Sequence, residues 1–197
     1  LVGRATNSFP SDLMIFFLDN FRSELVSYVD DCITALIKSW VNEGDPESES
    51  ESKQLQHARN LLEATDPGKP IFTSVLKFAI QAIPELFNSE NLSPDLAPLL
   101  DILAVCIKNV SNLPKELLKR CMYPKICRST YGFLLGKHFC GVFRAILSVD
   151  PSVVDEVSSL CQVFIDKTDL DEIRSAVLLT LAQIRWQQLP FDVDTVQ

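Results

Sequence analysis

The chain has 197 residues, of which 47% are hydrophobic, 9% aromatic and 22% charged, and its formal charge is −8. This is globular composition with enough apolar material for a core, which excludes disordered, collagenous and coiled-coil classes. The net acidity means that any contact with nucleic acid must come from a local patch. The longest uninterrupted apolar run, Leu13 to Leu18, is six residues, against the roughly 20 that a membrane helix requires, so no membrane association is expected.

Taken in chain order, helical periodicity dominates. Residues 12–22 and 23–42 read as helix, with Leu25, Val29, Cys32, Ile33, Leu36 and Trp40 forming the stripe of the second. The stretch Glu43 to Ser52 carries five acidic residues, no basic one and no apolar side chain larger than proline, so it reads as a flexible solvated loop. Within it Ser48 lies three residues before Glu51, a site that an acid-directed kinase could modify. Further helices are expected at 53–64 and at 70–87, where Phe72, Val75, Leu76, Ala79, Ile83 and Leu86 share a face. The same spacing places one at 95–111, with Leu96, Leu99, Leu100, Leu103, Ile107 and Val110. Helices at 114–122, 124–148, 151–166 and 170–188 follow, and 190–197 reads as a tail. Ser11-Asp12, Ser93-Pro94 and Asp150-Pro151 each offer a capping oxygen at a helix start.

An all-α chain of eight or nine helices with short connections calls for antiparallel neighbours. Two arrangements satisfy that: hairpins stacked as a short superhelix, which we take as the expectation, or a closed bundle. One domain spanning 1–197 is expected, and the start at Leu1 suggests a piece of a longer protein. Cysteines at 32, 106, 121, 127, 140 and 161 sit mostly in apolar helical patterns, so they read as buried reduced thiols of an intracellular, nuclear or cytosolic protein.

The segment Asp169-Leu-Asp-Glu-Ile-Arg174-Ser-Ala-Val-Leu-Leu-Thr-Leu-Ala-Gln-Ile184 resembles the second helix of a HEAT repeat, of the HEAT/armadillo-like α-solenoid family. It covers 16 residues, and no fixed period carries through Leu25 to Ile146. The resemblance implies a non-enzymatic binding scaffold. It also implies that Asp169 or Asp171 and Arg174 help link neighbouring repeats.

Charge is distributed unevenly. Residues 108–144 hold eight basic residues against the single Glu116, a local charge of +7 between flanks of −9 and −6. If Lys115, Lys119, Arg120, Lys125 and Arg128 share a face around the Met122-Tyr-Pro-Lys125 turn, they form a docking site for an acidic peptide or a subunit of a complex. The alternative partner is nucleic acid or chromatin. A solvated edge paired with the acidic flanks is the plainer reading. Exposed apolar ends would add a second surface, with Phe9, Phe16, Phe17, Phe21 and Trp40 at one end and Trp186, Leu189 and Phe191 at the other.

The chemical motifs fail on spacing. Gly132-Phe-Leu-Leu-Gly136-Lys137-His138 has three residues between its glycines where a phosphate loop has four, and His where that loop has Ser or Thr. Gly132, Gly136 and Gly141 are instead expected to let a neighbouring helix approach. Cys121, Cys127, His138 and Cys140 lack the short knuckles of a zinc site. No metal, cofactor or catalytic residue is expected, since no nucleophile elbow occurs and adjacent carboxylates diverge on a helix.

Overall fold

The computed structural model describes residues 55–188 apart from 57, 61, 88–91 and 94, with 187 and 188 described as helix backbone alone. The expected helices at 12–22 and 23–42, the acidic loop 43–52 with Ser48, and the tail 190–197 lie outside the described residues. The described residues are mostly helical, with no strand among them; one isolated antiparallel bridge joins Phe87 and Leu92. After a helical stretch within 55–63 come α1 (Pro70–Leu86), α2 (Leu96–Asn109), α3 (Lys115–Cys121), α4 (Pro124–Cys127), α5 (Gly136–Val149), α6 (Val154–Lys167) and α7 (Asp171–Gln188).

Helix ends follow local chemistry. Pro70 opens α1 with a fixed φ and no N–H to leave unpaired. Ser93 Oγ accepts the Asp95 N–H at 3.3 Å just before α2. Asp150 Oδ1 accepts the Ser152 N–H at 3.1 Å and its hydroxyl at 2.7 Å, capping the 3₁₀ turn Pro151–Val153 that leads into α6.

The expected helix 124–148 is corrected. The chain makes one turn in α4, reverses through Arg128 to Tyr131, passes a 3₁₀ turn Gly132–Leu135 and only then enters α5. The physical reason lies at Gly132, where a Cβ would stand 1.7 Å from the Ile126 carbonyl oxygen. Backbone folds onto backbone there, and a straight helix could not bring the two together. Gly136 is the close approach the sequence suggested, since its Cβ would meet Ile173 Cγ2 at 2.8 Å and the Phe164 ring at 3.3 Å. At Gly141 the suggestion fails, because nothing lies within 4 Å.

Hydrogen bonds and ion pairs between the helices fix their directions. Gly68 N–H reaches the Asn109 carbonyl at 2.8 Å while Phe87 pairs with Leu92, so α1 and α2 are antiparallel. Lys115 meets Asp150 at 3.7 Å, which makes α3–α4 antiparallel to α5. Lys119 meets Glu156 at 3.3 Å and Lys167 reaches the Arg128 carbonyl at 2.8 Å, so α3–α4 and α6 run in the same direction. Likewise Lys137–Glu172 at 2.9 Å and Arg144–Thr180 at 3.3 Å set α5 parallel to α7. In addition α2 packs along α5, and α5 along α7.

The core runs through these helices without a break. In α2, Pro98, Ile102, Val105 and Cys106 are buried as well as Leu96, Leu99, Leu100, Leu103 and Ile107 of the expected stripe, because that helix is covered by both α1 and α5; Val110 follows the helix end and is half-buried. Phe139, Phe143 and Phe164 are fully buried, with ring centroids 6.1–6.2 Å apart, and bind α5 to α6. The span Gly132–Val149 is long and apolar enough by composition to cross a membrane, yet 56% of it is buried inside the protein. Its apolarity is accounted for by that core position.

Candidate functional site

The basic residues are positioned by a tight corner between α3 and α4. Leu118, Cys121 and Met122 turn inward and anchor α3, leaving Lys115, Lys119 and Arg120 outside. At the corner Tyr123 adopts φ +43°, a left-handed conformation uncommon for a bulky residue. It is held there by burial, by its hydroxyl donating to the Ile80 carbonyl at 3.4 Å, and by the Phe139 ring 6.4 Å away. Pro124 then restarts the helix, Ile126 and Cys127 plug into the core, and Lys125 and Arg128 are exposed.

All five expected basic residues are therefore on the surface, but they divide into two groups. Lys115 and Lys119 are committed to Asp150 and Glu156, as the plainer reading of the sequence had it. The Ser152 hydroxyl, its N–H and the Lys115 ammonium hold the Asp150 carboxyl below its usual range. Its own backbone N–H and Lys119 do the same for Glu156. Arg120, Lys125 and Arg128 make no ion pair among the described residues.

A cleft of about 450 Å³ opens between α3–α4 and α6. Lys119, Met122, Pro124 and Arg128 line one wall, and Asp155, Glu156, Ser159 and Leu160 the other. Arg120 and Lys125 are not among the lining residues. The acidic wall had no signal in the local sequence, because Asp155 comes 27 residues after Arg128 and only the parallel packing of α3–α4 and α6 sets the two opposite each other.

The HEAT-like residues Asp169, Asp171 and Arg174 lie at the start of α7. Arg174 Nη2 bonds Asp169 Oδ1 at 2.9 Å across the start of its own helix, and both are exposed, as is Asp171. The ties from α7 to α5 come from Glu172 with Lys137, and from Arg144, whose guanidinium donates to the Ala176 carbonyl and to Thr180 Oγ1, both at 3.3 Å. Trp186 is 62% exposed, in company with Leu178 and Leu179 on α7; the other expected apolar end residues lie outside the described residues.

A polar tie also escaped the sequence reading. His138 Nδ1 lies 2.9 Å from Asp101 Oδ1, while Arg59 Nη1 lies 3.4 Å from the other carboxylate oxygen. The three half-buried side chains join the first helical stretch, α2 and α5. Asp101 breaks no periodicity in the α2 stripe and stands 37 residues from His138, so spacing gave no cue. Among the described residues no group of His, Cys, Asp and Glu could hold a metal. The five described cysteines are buried and free, and burial pushes the thiols of Cys106 and Cys127 up. Comparison with protein-family models, with curated proteins and with solved structures found no match to this chain.

Proposed function

We propose that this chain is a short α-solenoid of the HEAT/armadillo-like type that acts as a non-enzymatic scaffold and docks a partner protein on the α3–α4 surface. The succession α1/α2, α3–α4/α5 and α6/α7 supports the solenoid reading. Each pair is antiparallel, and α2, α5 and α7 pack in series, as stacked helical hairpins do. The observation that carries the docking site is the trio Arg120, Lys125 and Arg128. They are exposed at one corner, make no ion pair among the described residues and sit within a +7 segment of an acidic chain. Unpaired cations on a rigid corner steer and register an acidic partner at little reorganisation cost.

Nucleic acid is the weaker alternative. A phosphate backbone is acidic along its whole length and would carry charge past Asp155 on the facing wall, whereas a folded protein can present its acidic groups to Arg120, Lys125 and Arg128 alone. The test is capture from nuclease-treated lysate with the native chain and with Arg120, Lys125 and Arg128 all changed to Glu. Lys115 and Lys119 stay intact because their ion pairs belong to the fold. A defined protein held by the native chain and lost from the folded variant supports the reading. Retention by both refutes the site, and binding that vanishes with nuclease refutes the protein partner.

A further inference from the structure

We propose that the cleft between α3–α4 and α6 takes a bipolar peptide segment, with an acidic side chain on Arg128, an aliphatic one on the floor and a basic one on Asp155. This deepens the scaffold reading and rests on it.

The argument starts from which charges are already spent. Lys119 and Glu156 face each other across the cleft at 3.3 Å and neutralise one another. Of the charged residues lining the cleft, Arg128 and Asp155 are left without an ion pair among the described residues; both are exposed, on opposite walls and of opposite sign. They are also at opposite ends. Asp155 is in the first turn of α6, whereas the Arg128 carbonyl takes the ammonium of Lys167 in the last turn. The backbone span between those turns is about 18 Å at 1.5 Å per residue. Both side chains line the cleft, whose α6 wall runs from Asp155 to Leu160, so their charged groups are nearer than that, within reach of a short extended segment.

Between the two charges the floor is apolar. Met122 and Leu160 lie almost wholly buried at its bottom, and half-buried Pro124 is its accessible apolar side chain. Ser159 adds an exposed hydroxyl one turn above Asp155, about 6 Å along α6. Such a site selects by sign at both ends. A wholly acidic segment satisfies Arg128 but is repelled by Asp155, and a wholly basic one suffers the reverse.

The test pans a displayed library of random heptapeptides on the intact 197-residue chain, then measures synthetic copies of the selected peptides by fluorescence anisotropy. The expected binders carry an acidic, an aliphatic and a basic residue, the aliphatic one between the charges. Reversing either peptide charge should weaken binding roughly five- to tenfold, since an attraction is replaced by a repulsion at an exposed pair. Compensation then discriminates: Arg128→Glu should prefer peptides basic at both ends, and Asp155→Lys peptides acidic at both. Both variants are surface changes whose folding is checked by circular dichroism. Selection of uniformly acidic peptides, with Asp155→Lys binding them no better than the native chain, overturns the bipolar cleft. So does selection of peptides insensitive to both variants, although the scaffold reading then survives at another surface. A folded chain that selects no peptide and captures no protein overturns both.

Discussion

Gly132 and Gly141 are nine residues apart, and the same substitution should act on them with opposite sign. An Ala Cβ at 132 would stand 1.7 Å from the Ile126 carbonyl oxygen and 2.7 Å from Ser129 Oγ. An ordinary carbon–oxygen contact is about 3.3 Å, so the two backbone segments must part by about 1.5 Å. That separation disturbs the Ser129 hydroxyl, which donates to the Ile126 carbonyl at 2.6 Å and accepts the Gly132 N–H at 2.9 Å. Two hydrogen bonds at about 1 kcal/mol each, with about 1–3 kcal/mol for forced displacement, outweigh the roughly 0.4–1 kcal/mol gained by restricting the unfolded chain. Gly132→Ala should therefore lose about 2–4 kcal/mol net. At 141 nothing lies within 4 Å and the residue is mid-helix, so Ala should gain about 0.5–1 kcal/mol. Thermal melts followed by circular dichroism convert each kcal/mol to about 2–4 °C for a chain of this size. A Gly132→Ala variant melting within a degree of the native chain would refute the α4–3₁₀ contact, and a Gly141→Ala variant that melts lower would refute the open face of α5.

Three further outcomes are expected. Phe164→Ala removes the ring shared by Phe139 and Phe143 and should cost about 3–5 kcal/mol in urea unfolding; a loss below about 1 kcal/mol would mean that the stack is not a core element. The Asp150 carboxyl is held below its usual 3.8 in the folded chain, so its stabilisation is complete above that pH and is lost as pH falls through the lower folded value. The melting difference between native and Asp150→Asn should thus be constant near neutrality and shrink as pH falls below 3.8; a difference independent of pH would sink the argument. Burial pushes the Cys121 thiol up to about 12, and Cys161 is raised by a hydrogen bond with Cys140 and by burial. A thiol reagent at pH 8 should leave Cys106, Cys121, Cys127 and Cys161 unlabelled until denaturant is added, and rapid native labelling of any of them contradicts their placement.

Helix positions and core faces were legible in the sequence wherever one side of a helix is buried. In the 3₁₀ turn and α6, Val153, Val157, Leu160, Cys161 and Phe164 are all buried as their spacing required, because period 3.6 decides which side chains share a face. In α2 the stripe was too narrow, since sequence periodicity marks one face and cannot count how many neighbours a helix has. The Asp150 cap and the charge block at 108–144 were likewise local facts, written in adjacent residues.

What needed the fold was every relation between distant segments. Helical rules read 124–148 as one element, because the local pattern favours helix throughout. Only the meeting of Gly132 with the Ile126 carbonyl shows why the chain turns there. The basic block was plain, yet which cations are spent on Asp150 and Glu156, and which of the five line the cleft, follows from α3–α4 running beside α6. Asp101 meeting His138 and Arg144 meeting Thr180 belong to the same class. Periodicity and composition act over a turn or two of helix and so are fixed by the sequence itself, whereas pairings across 30 or 40 residues are set by how whole apolar faces pack.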